Sequence, residues 1–145
     1  MVREFHEVFR HPVPSELTTV DPDTARLRIE LIREEFEEFV QGILGDPEAQ
    51  VSISTGPGGE PNIIEIADAL ADMAYVIYGA AIVHGIDLDA VVAEVHRSNM
   101  SKLGEDGKPL RREDGKTLKG PNYFPPNIAA ALGYPKEDPD APGFG

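Results

Sequence analysis

From Asp21 to Leu44 the apolar positions recur three and four residues apart. Leu27, Leu31, Ile32, Phe36, Phe39, Val40 and Ile43 fill one wide face of a helix at about 100° per residue. Asp21-Pro22 supplies an N-cap and a proline at the first helical position, and Gly45-Asp46-Pro47 ends the pattern. A second segment, Ile63 to His84, begins after Asn62, stops near Gly85 and is apolar nearly all round, the pattern of a buried helix. Asp87 caps a third, Leu88 to about Leu103. A short helix, Val2 to Phe9, precedes a connection broken by Pro12 and Pro14. Residues 45–62 carry Gly56-Pro57-Gly58-Gly59 without periodicity and read as a mobile loop. The expectation is an all-α protein.

Three polar intrusions interrupt the apolar faces. Glu35 and Glu38 fall between the Leu27/Leu31 and Ile32/Phe39 edges of the first helix, whereas Glu30, Arg33 and Glu37 point away as surface charges. Glu65, Asp68 and Asp72 form the one polar stripe of the second helix, at i, i+3 and i+7. Buried carboxylates are costly unless paired or bound to a cation, and a hard divalent ion resolves the conflict for all of them together. Taken singly, each has a plainer explanation. Glu65 can close a capping box with Asn62, Asp72 can pair with an arginine or a tyrosine hydroxyl, and Glu34 can be a solvated charge. On the third helix Asn99 and Lys102 share the arc of Leu88, Val91, Val92, Val95 and Leu103, with His96 at its edge and Arg97 facing away. They need a polar ligand, unless the helix frays there and Lys102 snorkels outward.

Composition narrows the function. The 145 residues suit a single domain, 1–145, with an irregular tail from about residue 120 that is rich in proline and glycine and contains one helical turn near Asn127–Leu132. A net charge of −13 argues against nucleic acid as a partner. No membrane span is expected, because the acids of the Ile63–His84 segment would each cost about 2.5–3.5 kcal/mol at a bilayer centre. The acidic N-terminal stretch lacks the apolar core of a signal peptide, and the absence of cysteine fits a reducing, cytoplasmic setting. Lys102, Lys108, Arg111, Arg112, Lys116 and Lys119 concentrate basic charge in one segment, interleaved with acids, which reads either as solvated loop charge or as a polyanion site. That segment holds a near repeat, Glu105-Asp-Gly-Lys-Pro-Leu-Arg111 and Glu113-Asp-Gly-Lys-Thr-Leu-Lys119, suggesting paired turns or a small hairpin. Phosphate-loop, dinucleotide and Ser-His-Asp patterns do not occur.

Glu35-x-x-Glu38 followed by Glu65-x-x-Asp68 resembles the ExxE…ExxD signature of the all-α NTP pyrophosphatases, which include MazG-like enzymes, dimeric dUTPases, dCTPases and phosphoribosyl-ATP pyrophosphohydrolases. Ser98-Asn-Met-Ser-Lys102 and Asp114-Gly-Lys-Thr-Leu-Lys119-Gly-Pro-Asn-Tyr-Phe-Pro125 are similar to two downstream stretches of MazG-like members. The 26 residues between Glu38 and Glu65 are at the long end of that family's range. The resemblance implies cleavage of the α–β bond of a nucleoside triphosphate, dUTP ahead of dCTP, to the monophosphate and pyrophosphate. It implies Mg²⁺ or Mn²⁺ held by Glu35, Glu38, Glu65 and Asp68, with Glu34 as general base and Glu35 as the alternative. Lys102, Arg112 and Lys119 would bind the pyrophosphate, and Asn99 and Tyr123 the nucleoside. It further implies a helical bundle completed by a homodimer or a dimer of dimers. Phosphoribosyl-ATP hydrolysis and a non-catalytic nucleotide- or protein-binding bundle are the alternatives. No motif reads the base.

Overall fold

The computed structural model describes residues 1–112 and 117–134. Its regular elements are α1 (Val2–Val8), α2 (Pro22–Leu44), α3 (Ile63–Val83), α4 (Leu88–Met100) and α5 (Ile128–Ala131). Among the described residues there is no strand, only the isolated antiparallel bridges Leu103–Pro109 and Arg111–Thr117. The all-α expectation holds. Helix α4 stops before Leu103 because the chain tightens there, with the Ser101 and Lys102 amides donating to the carbonyls three residues back. The first copy of the near repeat closes a turn, Gly104 N–H to Lys108 carbonyl at 2.8 Å, with Gly107 at φ 71°. In the second copy, Glu113, Asp114, Gly115 and Lys116 lie outside the described residues. Its flanks pair through Leu118 N–H to Leu110 carbonyl at 2.8 Å. Of the irregular tail expected from about residue 120, the helical turn appears as α5, and the part beyond Tyr134 is likewise outside the described residues.

The chain forms two compact units, Glu16–Asp68 and Met1–Ser15 with Ala69 onward. In the first, Asp21 Oδ1 accepts from the amides of Asp23 and Thr24 at 3.1 and 2.9 Å, and the Thr24 hydroxyl donates to Oδ2 at 2.6 Å. The hydroxyl first, then the Thr24 amide, hold the Asp21 carboxyl below its ordinary range. Gly45, at φ 63°, ends α2 in a left-handed turn that suits a residue without Cβ. The loop that follows is partly tied down, contrary to the mobile loop expected. Arg33 and Glu37 grip its Val51, so they are not the plain surface charges that the helical wheel suggests.

In the second unit α4 packs against α1 and α5. Phe9 is fully buried, stacks on Phe5 at 4.2 Å, and its carbonyl accepts from the Arg111 guanidinium. His96 Nε2 lies 3.0 Å from Glu4 and joins α4 to α1. The buried Ser98 hydroxyl donates to the Phe124 carbonyl at 2.8 Å. The Gly120 amide donates to the Lys102 carbonyl at 3.0 Å. Residues 120–124 are thereby clamped across the end of α4.

The long helices contrast with this core. Ile29, Ile32, Phe36, Phe39 and Ile43 of α2 are exposed, and so is most of α3, where Tyr75 is 82% and Val83 79% exposed and Ala81 alone is buried. Among the described helices α3 is the one long and apolar enough to cross a membrane by length and composition, a test that an apolar helix awaiting a partner also passes.

Two glycines should respond oppositely to alanine. At Gly120 a Cβ would stand 2.0 Å from the Leu103 carbonyl oxygen and 2.9 Å from that of Lys102, both backbone atoms. Gly120→Ala should therefore cost about 1–3 kcal/mol. Gly42, within α2, has open space around its Cβ position, so Gly42→Ala should add about 0.5–1 kcal/mol. Urea titrations of the two variants check both signs.

Candidate functional site

Helix α2 presents Glu35 and Glu38, and the first two turns of α3 present Glu65 and Asp68, each pair one helical turn apart. All four side chains belong to exposed residues, on helices whose apolar neighbours are exposed too. Burial of these acids within one chain, the starting point of the metal argument, does not occur. Glu34, by contrast, is half-buried. Asn62 caps α3, its Oδ1 accepting from Ile64 N–H at 3.0 Å and Glu65 N–H at 3.4 Å. The reciprocal half of the capping box is missing among the described residues, so the Glu65 carboxylate is not used up in capping. Among the described residues Glu38, Asp68 and Asp72 have no hydrogen-bond or ion-pair partner, and neither arginine nor tyrosine takes up Asp72.

The donor set is chemically suited to a hard divalent cation: carboxylates only, two from each helix. Yet among the described residues no three His, Asp or Glu side chains of the single chain form a group able to hold a metal ion. The structure thus presents two separate carboxylate pairs and does not bring the four acids into one cluster.

The amide and cationic candidates belong to the other unit. Asn99 and Lys102 sit at and just beyond the last turn of α4, half-buried. Lys119 and Tyr123 follow on the clamped segment, with the Lys119 ammonium 4.6 Å from the centre of the Tyr123 ring. The Gly120–Lys102 hydrogen bond joins these two stretches, so the downstream motifs singled out in the sequence are neighbours in space. Arg112 is exposed, while its neighbour Arg111 is turned to the Phe9 carbonyl and does structural duty.

Several residues that hold this arrangement are not evident in the sequence. Arg97, expected to face away, lies 4.3 Å over the Phe124 ring and forks onto Glu94 at 2.8 and 2.7 Å. Glu94 also accepts the Asn127 amide at 2.6 Å, tying α4 to the start of α5. The Arg97 fork first, and the Asn127 amide second, push the Glu94 carboxyl down to about 2. Gly120 followed by proline was the one available signal, since a glycine beside proline marks a turn but not what it packs against.

Residues 2–99 match the family described as phosphoribosyl-ATP pyrophosphohydrolase. An uncharacterized protein of Acanthamoeba polyphaga mimivirus is 31% identical over 112 residues, 74% of this chain but 36% of that protein, so the chain spans about a third of the length of that relative. The crystal structure of a candidate NTP pyrophosphohydrolase from Exiguobacterium sp. 255-15 superposes with a TM-score of 0.66 at 25% identity, covering 90% of each chain.

The Glu94 junction predicts a pH dependence. Its carboxyl falls from 4.5 to about 2 on folding, so its contribution to stability is complete above pH 4.5 and is lost as the pH drops towards 2. Glu94→Gln should lower the melting temperature by a constant amount between about pH 7 and 5, and the gap from wild type should close towards about pH 2. Circular dichroism melts across that range check it.

Proposed function

The chain belongs to the phosphoribosyl-ATP pyrophosphohydrolase family, and on that premise we propose that it is a metal-dependent nucleoside triphosphate pyrophosphohydrolase. The reading rests on one observation above all. Two carboxylate pairs at i, i+3 stand exposed on α2 and α3 without competing partners for Glu38 and Asp68, in a chain whose family and structural neighbour share pyrophosphohydrolase names. The substrate proposed is a pyrimidine deoxynucleoside triphosphate, dUTP ahead of dCTP. The family description favours phosphoribosyl-ATP as the second reading.

Glu35, Glu38, Glu65 and Asp68 would hold Mg²⁺ or Mn²⁺, which when bound neutralises triphosphate charge. Glu34, or Glu35, takes the proton of the attacking water as its oxygen joins phosphorus. The α–β anhydride bond breaks, leaving the monophosphate and pyrophosphate. Lys102, Lys119 and Arg112 offset the charge on the leaving pyrophosphate, while Asn99 and Tyr123 meet the nucleoside. Because the exposed faces of α2 and α3 carry both the acids and large apolar side chains, the working form is proposed to be a homodimer or a dimer of dimers. Covering each such side chain contributes about 1.5–3 kcal/mol, and the same contact takes the acids out of bulk water.

Pyrophosphate release from dUTP, dCTP, the other common nucleotides and phosphoribosyl-ATP, in the presence of Mg²⁺, separates the two substrates. The expected products from dUTP are dUMP and pyrophosphate; dUDP with orthophosphate would contradict the reaction. Glu38→Gln and Asp68→Asn should each lower turnover about 100-fold or more while the helices stay folded, and calorimetry should show weaker Mn²⁺ binding in both. Unchanged metal affinity in the two variants would remove these residues from the ligand set.

A further inference from the structure

The connection between the two acid pairs is not a plain linker. Helix α2 ends at Leu44, about 12 Å beyond the level of Glu35 and Glu38 at 1.5 Å per residue. The chain then turns back. Gln41 Nε2 donates to the Ala49 carbonyl at 2.9 Å, and two residues later Val51 reaches Arg33 and Glu37, so this stretch runs antiparallel to α2. Both backbone groups of Val51 are taken by side chains: its N–H donates to Glu37 Oε2 at 2.8 Å, and its carbonyl accepts from Arg33 Nη1 at 3.2 Å. Arg33 and Glu37 are themselves paired at 2.9 Å, with side chains only 20% and 23% exposed, and Glu30 holds the other edge of the guanidinium. Arg33, Glu37 and Gln41, at i, i+4 and i+8, make one stripe on the side of α2 opposite Glu35.

We propose that Arg33 and Glu37 are positioning residues, a latch that returns the chain to the level of Glu35 and Glu38 before it departs towards Glu65 and Asp68. Among the described residues 52–61 make no hydrogen bond, so Val51 is the last fixed point before Asn62 caps α3. With the latch closed, the tether to Asn62 reaches at most about 37 Å; with Val51 released and Gln41 still holding Ala49 it reaches about 43 Å, and about 60 Å once that bond opens too. The latch thus raises the fraction of chains in which the second carboxylate pair can join the first on one ion. It does so without touching ion or substrate, and the inference rests on the pyrophosphohydrolase reading above.

The test uses Glu37→Gln, which keeps the shape and removes the charge, and Arg33→Met, which keeps the aliphatic stem. In the metal-free protein, hydrogen exchange of the Val51 amide should rise at least about tenfold in Glu37→Gln while the helices keep their circular dichroism. The Mn²⁺ concentration for half-maximal pyrophosphate release, and the calorimetric Mn²⁺ affinity, should weaken by about 1.3- to 2-fold in both variants, the effect of a longer tether. The turnover number at saturating Mn²⁺ should stay within about twofold of wild type. A general loss of structure would instead lower the turnover number, which also overturns the latch. Wild-type Mn²⁺ affinity in both variants would overturn it while leaving the pyrophosphohydrolase reading intact. Wild-type protein that neither binds Mn²⁺ nor releases pyrophosphate would overturn the reading and, with it, what the latch positions, even if the Val51 amide exchanges as expected.

Discussion

Everything distinctive about this chain follows from apolar surface that it does not cover by itself. Among the described residues the well-packed region is small: Phe9 is buried against Phe5, the buried Ser98 donates to the Phe124 carbonyl, and residues 120–124 are strapped over the end of α4. Helices α2 and α3 have no such cover. Ile32, Phe36 and Phe39 on one, and Leu70, Tyr75 and Ile77 on the other, stand exposed. Exposed apolar side chains gathered on a helix face are the mark of a surface that meets a partner. The carboxylates share the fate of this surface, because they sit on the same faces. Closing those faces would desolvate them, and a cation would offset that cost.

This explains how the sequence can read as a buried acidic site while the single chain shows an exposed one. Glu35 and Glu38 interrupt the apolar arc of α2 in the structure as they do on the helical wheel. What the wheel does not state is which chain supplies the covering surface. An all-round apolar segment such as Ile63–Val83 implies burial, and periodicity carries no information about whether that burial is within one chain or between copies.

The helices themselves were legible because their signals are local. Asp21-Pro22 and Gly45 delimit α2, Asn62 and Asp87 cap α3 and α4, and each does so through hydrogen bonds or backbone angles that neighbouring residues determine. The Asp-Gly of the first repeat made the turn that the dipeptide announces. The candidate site was legible in its residue types, and the two downstream motifs proved to be joined through Gly120 and Lys102. The less legible part is long-range. Arg33 and Glu37 have the spacing of any solvated i, i+4 pair, and only the returning loop reveals that they bind Val51. Arg97 likewise looks like a surface cation until Phe124, which is 27 positions further along the chain, is placed beneath it. In each case the deciding partner is a backbone group or ring whose position depends on the tertiary fold.

Closure of the faces of α2 and α3 by further copies of this chain is open to a direct check, the mass of the folded protein in solution. Light scattering at micromolar concentration should give twice or four times the chain mass of 15.8 kDa, with helical circular dichroism retained. A folded species with the mass of one chain would contradict the account.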